Sequence, residues 1–194
     1  MFNGIIYKQG KIKKISRLKK SFYLEISSNL RFTKKEIGSS ISCNGVCLTL
    51  TKVSKNSIFF YLSHETLKRS NFKYIRIGDH VNLEKSIKYG QRISGHYVQG
   101  HVDTTGMIKK ISIVDRTWIL NISIPKKFQK LLTIKGSISI NGVSLTISNT
   151  NKNSFQISII PHTLSLTNLL NLKKKNFVNI EFDIMNKYLL KINS

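Results

Sequence analysis

Among the residues whose side chains can move protons or attack electrophiles, four stand out as candidates: His101, Cys47, Ser144 and Asp183. Histidine is the side-chain type that most often serves as a general acid or base near neutral pH, so His101 is the best candidate for that role. A structural histidine is the alternative. Cys47 and Ser144 lie at equivalent positions in two similar segments, and each could be a nucleophile or only a hydrogen-bonding wall of a pocket.

The two similar parts of the sequence differ at a further position, where one has a carboxylate and the other a hydroxyl. Asp183 lies where the first segment has Ser86, and we interpret Asp183 as a candidate polar group of a reactive pocket. His96, on the same stretch as His101, is interpreted as structural. For Ser144 the sequence favours the hydrogen-bonding role, and for Cys47 both roles stay open. We expect two related pockets that no longer do the same work.

An internal repeat accounts for these paired positions. A shift of 97 residues brings Ser40–Leu50 onto Ser137–Ile147, and a shift of 96 residues brings Gly4 onto Gly100. Repeats of this kind indicate one structural unit written twice. The sequence therefore predicts an N-terminal unit over residues 1–94, a C-terminal unit over residues 95–184 and a helical tail over residues 185–194.

Each unit has the pattern of a small β-barrel. Polar and apolar residues alternate over Ser39–Cys43, as in a half-buried strand. Asn44-Gly45 and Asn141-Gly142 are tight-turn dipeptides, because both residue types tolerate positive φ. Short helical turns are expected to begin near His64 and His162. The predicted fold is all-β, with two tandem closed barrels of the six-stranded type, short helices and a C-terminal helix.

The charge of the chain is extreme, with 32 Lys and Arg against 9 Asp and Glu and a formal net charge of +23. Such a charge can indicate nucleic-acid binding. The lysines, however, are scattered in pairs, and only Lys173–Lys175 forms a run of three. The chain is also rich in Ile and Asn, which AT-rich codons supply together with Lys. We therefore favour compositional drift and expect no nucleic-acid partner.

Other classes of protein are excluded by simpler features. No stretch approaches the ~20 apolar residues of a membrane span, and the first residues lack the layout of a signal peptide. Cys43 and Cys47 are the two cysteines, and no histidine lies at finger-like spacing from them, so no metal site is expected. We predict a soluble cytoplasmic protein that contacts no membrane.

Three sets of residues together resemble one known family. They are Met1–Ile5, the paired segments Ser40–Thr49 and Ser137–Thr146, and Gly95–Asp103 at the junction of the two units. The paired segments share the pattern Ser-Ile-x-x-Asn-Gly-Val-[Cys/Ser]-Leu-Thr. In order, doubling and spacing, the chain resembles riboflavin synthases of the trimeric, duplicated-barrel type over about residues 1–190.

The resemblance implies a transferase that dismutates two identical molecules of 6,7-dimethyl-8-ribityllumazine. One molecule gives a four-carbon unit to the other, and the products are riboflavin and 5-amino-6-(D-ribitylamino)uracil. No metal or organic cofactor is implied. Each barrel would bind one lumazine. The chemistry would occur in a homotrimer, where the N-terminal barrel of one subunit faces the C-terminal barrel of a neighbour, with two substrates at each active site.

The resemblance also implies which residues contact the substrates. The N-terminal pocket would contain Gly4, Ile5, Ile6, Cys47, Leu48, Thr49, Tyr61, Leu62, Ser63, His64, Glu65 and Thr66. The C-terminal pocket would contain Gly100, His101, Val102, Ser144, Leu145, Thr146, Ile160, Pro161, His162, Thr163, Leu164 and Ser165. Lys135 matches a lysine that reaches a ligand across the subunit interface, and an ordinary surface lysine is the alternative.

One departure from the family pattern bears on the second pocket. The family usually has Glu where this chain has His162, so the contacts to the ribityl chain at that edge are expected to differ. The C-terminal helix is also short. Two rival interpretations remain: a non-catalytic lumazine- or flavin-binding protein of the same fold, and a tandem barrel that binds nucleic acid.

Overall fold

The computed structural model describes residues 1–192, and the first half of this range forms one closed antiparallel barrel, here barrel 1. Its strands are β1 (Lys8–Arg17), β2 (Phe22–Ser28), β3 (Ser40–Cys43), β4 (Val46–Ser54), β5 (Ser57–Leu62) and β6 (His80–Lys85). They neighbour each other in the order β1-β2-β5-β4-β3-β6, and β6 pairs with β1 to close the barrel. Helix α1 (His64–Arg69) follows β5, and short 3₁₀ turns lie at Lys34–Glu36 and Asn71–Tyr74.

The second half repeats this arrangement as barrel 2. Its strands are β7 (Thr104–Val114), β8 (Thr117–Ser123), β9 (Ser137–Ile140), β10 (Val143–Asn151), β11 (Ser154–Ile159) and β12 (Phe177–Phe182). Helix α2 (Pro161–Leu166) follows β11, helix α3 (Ile184–Ile192) follows β12, and 3₁₀ turns lie at Lys126–Leu131 and Asn168–Asn171. The circular strand order matches that of barrel 1. The prediction of two tandem six-stranded barrels with short helices is confirmed.

The strands form because their side chains alternate between the barrel interior and the outside. In β2, Phe22, Leu24 and Ile26 are buried, while Tyr23 between them is exposed. Each barrel has its own apolar core. Burying a Leu, Ile or Phe side chain contributes about 1.5–3 kcal/mol, so the two cores supply most of the driving force for folding.

The chain that leads into each barrel crosses to the other barrel. We call residues 2–7 the N-terminal arm and residues 98–103 the connecting arm. Ile6 of the N-terminal arm is buried in the core of barrel 2, whereas Val102 of the connecting arm is buried in the core of barrel 1. Phe2 and Val98 pair as an antiparallel bridge where the arms meet. The two barrels are therefore joined by an exchange of their entry segments.

Six asparagines form a cluster between the barrels. They are Asn44, Asn71, Asn82, Asn141, Asn168 and Asn179. The side-chain amide of Asn82 donates to the Asn141 carbonyl at 2.9 Å, and that of Asn179 donates to the Asn44 carbonyl at 2.8 Å. These two bonds are related by the repeat and run in opposite directions between the barrels. The asparagine cluster therefore fixes the barrels in one symmetric arrangement.

The Asn-Gly turns predicted from the sequence lie inside this contact. Asn44 and Asn141 have positive φ, as a tight turn requires. A Cβ on Gly45 would lie 2.6 Å from the Gly142 backbone nitrogen, so the turns meet where no side chain fits. Glycine is therefore needed here for close approach between repeats as well as for turn geometry.

The predicted C-terminal helix is present as α3, which begins at Ile184; residues 193 and 194 of the predicted tail lie outside the described residues. Lys187 pairs with Asp103 at 2.7 Å, and the rings of Phe128 and Phe182 stack beside the helix. Met185 and Tyr188 leave apolar surface exposed. Across residues 1–192, no helix combines the length and the apolar character that crossing a membrane requires.

Candidate functional site

A cavity of about 390 Å³ opens on barrel 1 where the connecting arm crosses the start of β4 and helix α1. Its volume is in the range of small-molecule sites. The lining residues are Val46, Cys47, Glu65, Thr66, Arg69, Ser70, Gly100, His101, Val102 and Asp103. The cavity therefore brings predicted residues of both repeats to one place, on the N-terminal barrel.

The wall beneath this cavity is a contact between two backbones. The Cys47 amide donates to the Gly100 carbonyl at 2.8 Å. Gly100 has a φ of +81°, and a Cβ there would lie 2.6 Å from the Cys47 Cβ. Glycine is required both by the left-handed conformation and by the space. The half-buried Cys47 and the exposed His101 both line the cavity at this contact.

Barrel 2 contains the equivalent contact. The Ser144 amide donates to the Gly4 carbonyl at 2.8 Å, Gly4 has a φ of +71°, and a Cβ on Gly4 would lie 2.7 Å from the Ser144 Cβ. Ile6 continues from there into the core of barrel 2. Both barrels thus present the same backbone arrangement, with a thiol in one and a hydroxyl in the other.

The predicted division of residues between the two pockets is wrong in one respect. The sequence grouped Gly4 and Ile6 with Cys47, and Gly100 with Ser144, whereas the structure pairs the arms the other way round. The reason is the exchange of arms. Each arm precedes its own barrel in the sequence but buries its apolar residue in the other one. Ile5 instead lines a separate cavity of about 570 Å³ on barrel 1.

A charged pair at the rim of the barrel 1 cavity was only half predicted. Arg69 donates to the carboxylate of Glu65, and the two residues lie one helical turn apart on α1. The Arg69 guanidinium lowers the pKa of Glu65 below its ordinary value. Glu65 was expected from the sequence and Arg69 was not. The i,i+4 spacing of opposite charges was the signal that could have found Arg69.

Two buried carboxylates hold the arms. Glu84 on β6 accepts hydrogen bonds from the Asn3 and Gly4 amides at 2.7 and 3.1 Å. Glu181 on β12 accepts from the Gln99 and Gly100 amides at 2.7 and 2.9 Å. Burial raises the pKa of Glu84 to about 7 and raises the pKa of Glu181 in the same direction, although the backbone donors oppose the shift.

The raised pKa of Glu84 predicts a stability that falls as the pH rises. The folded chain keeps a proton on Glu84 up to about pH 7, whereas the unfolded chain releases it near the ordinary value of 4.5. The contribution is fully present below about pH 4.5 and is lost by about pH 7, up to about 3 kcal/mol. Urea unfolding from pH 4.5 to 7.5 should show a steeper loss in the wild type than in Glu84→Gln. Equal slopes in the two proteins would contradict the assignment.

Ser144 has a partner that the sequence interpretation missed. The Ser144 hydroxyl and the His96 Nδ1 lie 2.7 Å apart, within hydrogen-bonding distance. His96 is buried, and its Nε2 has no hydrogen-bond partner among residues 1–192. Burial lowers the pKa of His96, and the nearby Asp183 carboxylate opposes this shift. A neutral imidazole bonded to a hydroxyl can accept or return a proton, so His96 and Ser144 form a candidate acid-base pair on barrel 2.

Asp183 and Lys135 lie on the same barrel. Asp183 is half-buried at the start of α3, where its carboxylate accepts from the Met185 amide at 3.0 Å. Lys135 is exposed, in a left-handed turn with a φ of +65°. Asp183 is close enough to His96 for its carboxylate to oppose the lowering of the His96 pKa. The Lys135 side chain is open to solvent.

The other predicted contact residues divide into core and surface positions. The side chains of Leu48, Leu62 and Leu164 are buried in the barrel cores, so these positions can offer a ligand only their backbone groups. Ser63 caps α1 by accepting from the Thr66 amide at 3.2 Å. The positions with exposed side chains are Thr49, Tyr61, His64, Thr146, Ile160, Pro161, His162 and Ser165, while Leu145 and Thr163 are half-buried. Over residues 1–192, no group of three or more His, Cys, Asp or Glu residues is arranged to hold a metal ion.

Comparison with known proteins identifies both barrels. A model of the lumazine binding domain matches residues 3–86 and again residues 99–183. The chain is 40% identical over 193 residues to a riboflavin synthase of Photobacterium leiognathi, covering 99% of this chain and 88% of that one. It is 35% identical over 189 residues to the riboflavin synthase of Bacillus subtilis, covering 97% and 88%.

A solved structure shares the whole architecture. LumP complexed with riboflavin superposes with a TM-score of 0.83 at 28% identity, covering 94% of this chain and 99% of that one. LumP complexed with flavin mononucleotide superposes with a TM-score of 0.82 at 27% identity. Since the family model matches most of the chain in two repeats and the riboflavin synthases match nearly all of it, this chain, with its two lumazine binding domains, belongs to the riboflavin synthase family.

Proposed function

We propose that this protein is a riboflavin synthase. It catalyses the dismutation of two 6,7-dimethyl-8-ribityllumazine molecules to riboflavin and 5-amino-6-(D-ribitylamino)uracil. The observation that carries the proposal is the doubling of one site: each barrel has the same Gly–Cys or Gly–Ser backbone contact, in a chain 35–40% identical to riboflavin synthases. A reaction between two identical molecules needs two like pockets, and the repeat supplies them.

Positioning accounts for most of the catalysis in this proposal. Two lumazine rings held face to face react as if within one molecule, an effect that reaches about 7–11 kcal/mol in favourable cases. The 7-methyl group of the lumazine is already acidic, because its anion delocalises into the ring. The protein therefore needs only modest acid-base help, typically 10²–10⁴-fold, and hydrogen-bond donors that stabilise the anion.

The proposed roles follow from where the side chains lie. His101, exposed at the mouth of the barrel 1 cavity, is placed to take or return the methyl proton. On barrel 2 the hydroxyl of Ser144, bonded to His96, is placed to donate to the anion, with Asp183 close by. Cys47 lines the first pocket as a hydrogen-bonding wall or a nucleophile. No metal or organic cofactor takes part, because the four-carbon unit that one lumazine loses is gained by the other.

A homotrimer completes the proposal. The N-terminal barrel of one subunit faces the C-terminal barrel of its neighbour, and Lys135 reaches across that boundary. The exposed apolar residues Met185 and Tyr188 of α3 support association between copies of the chain. The enzyme is cytoplasmic and binds neither nucleic acid nor membranes. Light scattering of the purified protein should give three times the mass of one chain, and a monomer at working concentration would contradict the trimer.

The experiment that tests the activity is direct. The purified protein, dialysed against EDTA, is incubated with the lumazine, and the visible absorbance of riboflavin is followed. One riboflavin should form for every two lumazines consumed. Tight lumazine binding without any riboflavin would instead favour the non-catalytic binding protein of the same fold. Steeply salt-dependent binding to oligonucleotides would favour the nucleic-acid alternative.

His162 provides a prediction about affinity. It occupies the position on barrel 2 that Glu65 occupies on barrel 1, and a carboxylate accepts hydrogen bonds from ribityl hydroxyls more strongly than an imidazole does. His162→Glu should tighten the binding of riboflavin to barrel 2 about tenfold, the effect of about 1.4 kcal/mol. Fluorescence titration of riboflavin resolves the two sites.

The matched control for this change is His162→Gln, which adds a carbonyl acceptor without a charge. It should tighten binding less than His162→Glu does. If neither variant binds riboflavin more tightly than the wild type, the ribityl chain does not reach His162, and the assignment of this edge of the pocket is wrong.

A further inference from the structure

Glu84 and Glu181, the two carboxylates that hold the arms, are not among the residues that line the barrel 1 cavity. Glu181 nevertheless supports one wall of that cavity. Glu181 lies on β12 of barrel 2 and is 2% exposed. Its two oxygens accept separately from the Gln99 and Gly100 amides, so the connecting arm is held at two adjacent points. An acceptor group that takes one hydrogen bond on each oxygen from neighbouring donors sets the orientation of the backbone as well as its position.

The connecting arm carries this orientation to barrel 1. Gly100, held through its amide by Glu181, uses its carbonyl to accept from the Cys47 amide at 2.8 Å. The next two residues, His101 and Val102, line the barrel 1 cavity, and Val102 enters the core of that barrel. A carboxylate on barrel 2 therefore sets one wall of the pocket on barrel 1.

The same relation holds in the opposite direction. Glu84 lies on β6 of barrel 1 and holds the Asn3 and Gly4 amides, while the Gly4 carbonyl accepts from the Ser144 amide on barrel 2. The Phe2–Val98 bridge joins the two arms at their other ends. The repeat has thus produced two reciprocal supports, each anchored on one barrel and acting on the other.

Holding two arms in place by hydrogen bonds does not by itself require buried carboxylates. Burial disfavours the charged form of both groups, which is why their pKa values are raised. A Gln side chain of the same shape could satisfy one amide, but it would turn an NH₂ group toward the other. Only a carboxyl group offers two acceptors to two adjacent N–H donors. The buried carboxyl group, although its burial is unfavourable, is therefore the group that fixes the geometry of the arm.

We propose that Glu84 and Glu181 are positioning residues that act across the barrel boundary, each setting the wall of the substrate pocket on the barrel to which it does not belong. The proposal rests on the proposed function only in that the pockets bind flavin-like ligands. Its test is an equilibrium measurement of riboflavin binding, so a failure of catalysis and a failure of this proposal give different results.

Cys47 makes the pocket on barrel 1 observable by itself. It is half-buried at the cavity, whereas the other cysteine, Cys43, is fully buried. Alkylation by iodoacetamide therefore reports on Cys47, and riboflavin bound in that pocket should slow it. In Glu181→Gln the riboflavin concentration that gives half protection should rise about tenfold. In Glu84→Gln, the matched control, it should change by less than about twofold.

The reciprocal arm of the experiment moves the thiol to barrel 2. In a Cys47→Ser, Ser144→Cys background the alkylated residue lies in the other pocket. Glu84→Gln should now raise the protecting concentration of riboflavin about tenfold, and Glu181→Gln should leave it nearly unchanged. This crossed pattern is one that a general loss of stability cannot produce.

A second variant covers the case in which a glutamine variant does not fold. Glu181→Asp keeps a carboxyl group with two acceptor oxygens but withdraws it by one methylene, and it should weaken protection at Cys47 in the same one-sided way. Circular dichroism and thermal unfolding report whether each variant is folded. Equal effects of each glutamate on both pockets, an effect confined to its own barrel, or no effect on protection would each overturn the proposal.

Discussion

Asn44→Ala should lower the free energy of unfolding by about 3–4 kcal/mol and the melting temperature by about 10 °C. The Asn44 side-chain oxygen accepts from the Asn82 amide at 2.8 Å and from the Asn168 side-chain amide at 2.9 Å. Removing it leaves two buried donors without this acceptor, and each such loss costs about 1–3 kcal/mol. Alanine also tolerates the positive φ at this position less well than asparagine does.

Urea unfolding followed by tryptophan fluorescence and circular dichroism measures this loss. The matched control is Asn56→Ala, which changes an exposed asparagine in the turn between β4 and β5 and should cost less than about 0.5 kcal/mol. Because Asn44 and Asn168 share a hydrogen bond, the double variant Asn44→Ala, Asn168→Ala should cost less than the sum of the single variants. A loss no larger than that of Asn56→Ala would show that the asparagine cluster does not stabilise the contact between the barrels.

Ser144→Ala and His96→Gln should each lower kcat for riboflavin formation by about 10²-fold, with little change in KM. The hydroxyl of the half-buried Ser144 and the imidazole of the buried His96 are 2.7 Å apart, so they should act as one unit. The double variant is therefore expected to lose about as much as either single variant, because residues that act together are not additive. Glutamine at position 96 keeps a hydrogen-bonding group but cannot titrate.

The pH dependence of kcat separates proton transfer from packing. Burial lowers the pKa of His96, so the neutral, proton-accepting form persists to lower pH than that of an ordinary histidine. In the wild type, kcat should therefore decrease only below about pH 6.5, where His96 becomes protonated. This decrease should be absent in His96→Gln. Ser148→Ala, an exposed serine on the same strand, is the matched control and should retain full activity. A profile that is unchanged in His96→Gln would show that His96 transfers no proton, leaving proton transfer to His101.

The elements of this fold could be predicted because their signals are local. Alternation over Ser39–Cys43 and the Asn-Gly dipeptides reports on a few neighbouring residues, and the structure has a strand at Ser40–Cys43 and a turn after it. Because of the internal repeat, each of these local patterns occurs at two equivalent positions in the sequence. Cys47, Glu65 and His101 were each named as candidates from the sequence, but only the structure brings them to one cavity.

The partnership between the pieces of each pocket could not be predicted in this way. Gly4 and Gly100 precede their barrels at equivalent places, and both have a Cys47 or Ser144 segment to contact in either barrel. Spacing along the chain is satisfied by both pairings, so it cannot choose between them. The contact of His96 with Ser144 was missed for the same reason, because it joins residues 48 positions apart through the path of the arm.

The sequence by itself determined that one β-barrel is built twice, which side chains differ between the copies, and the family to which the chain is similar. These are properties of residue type and order along the chain. Tertiary structure alone decided that the arms are exchanged, that Glu84 and Glu181 hold them, and that the Asn-Gly turns meet inside the contact between the barrels. Those features depend on which buried polar groups form hydrogen bonds with each other, and on which apolar side chain of each arm fills which core, once both barrels are folded. The sequence of a single segment does not specify these partners.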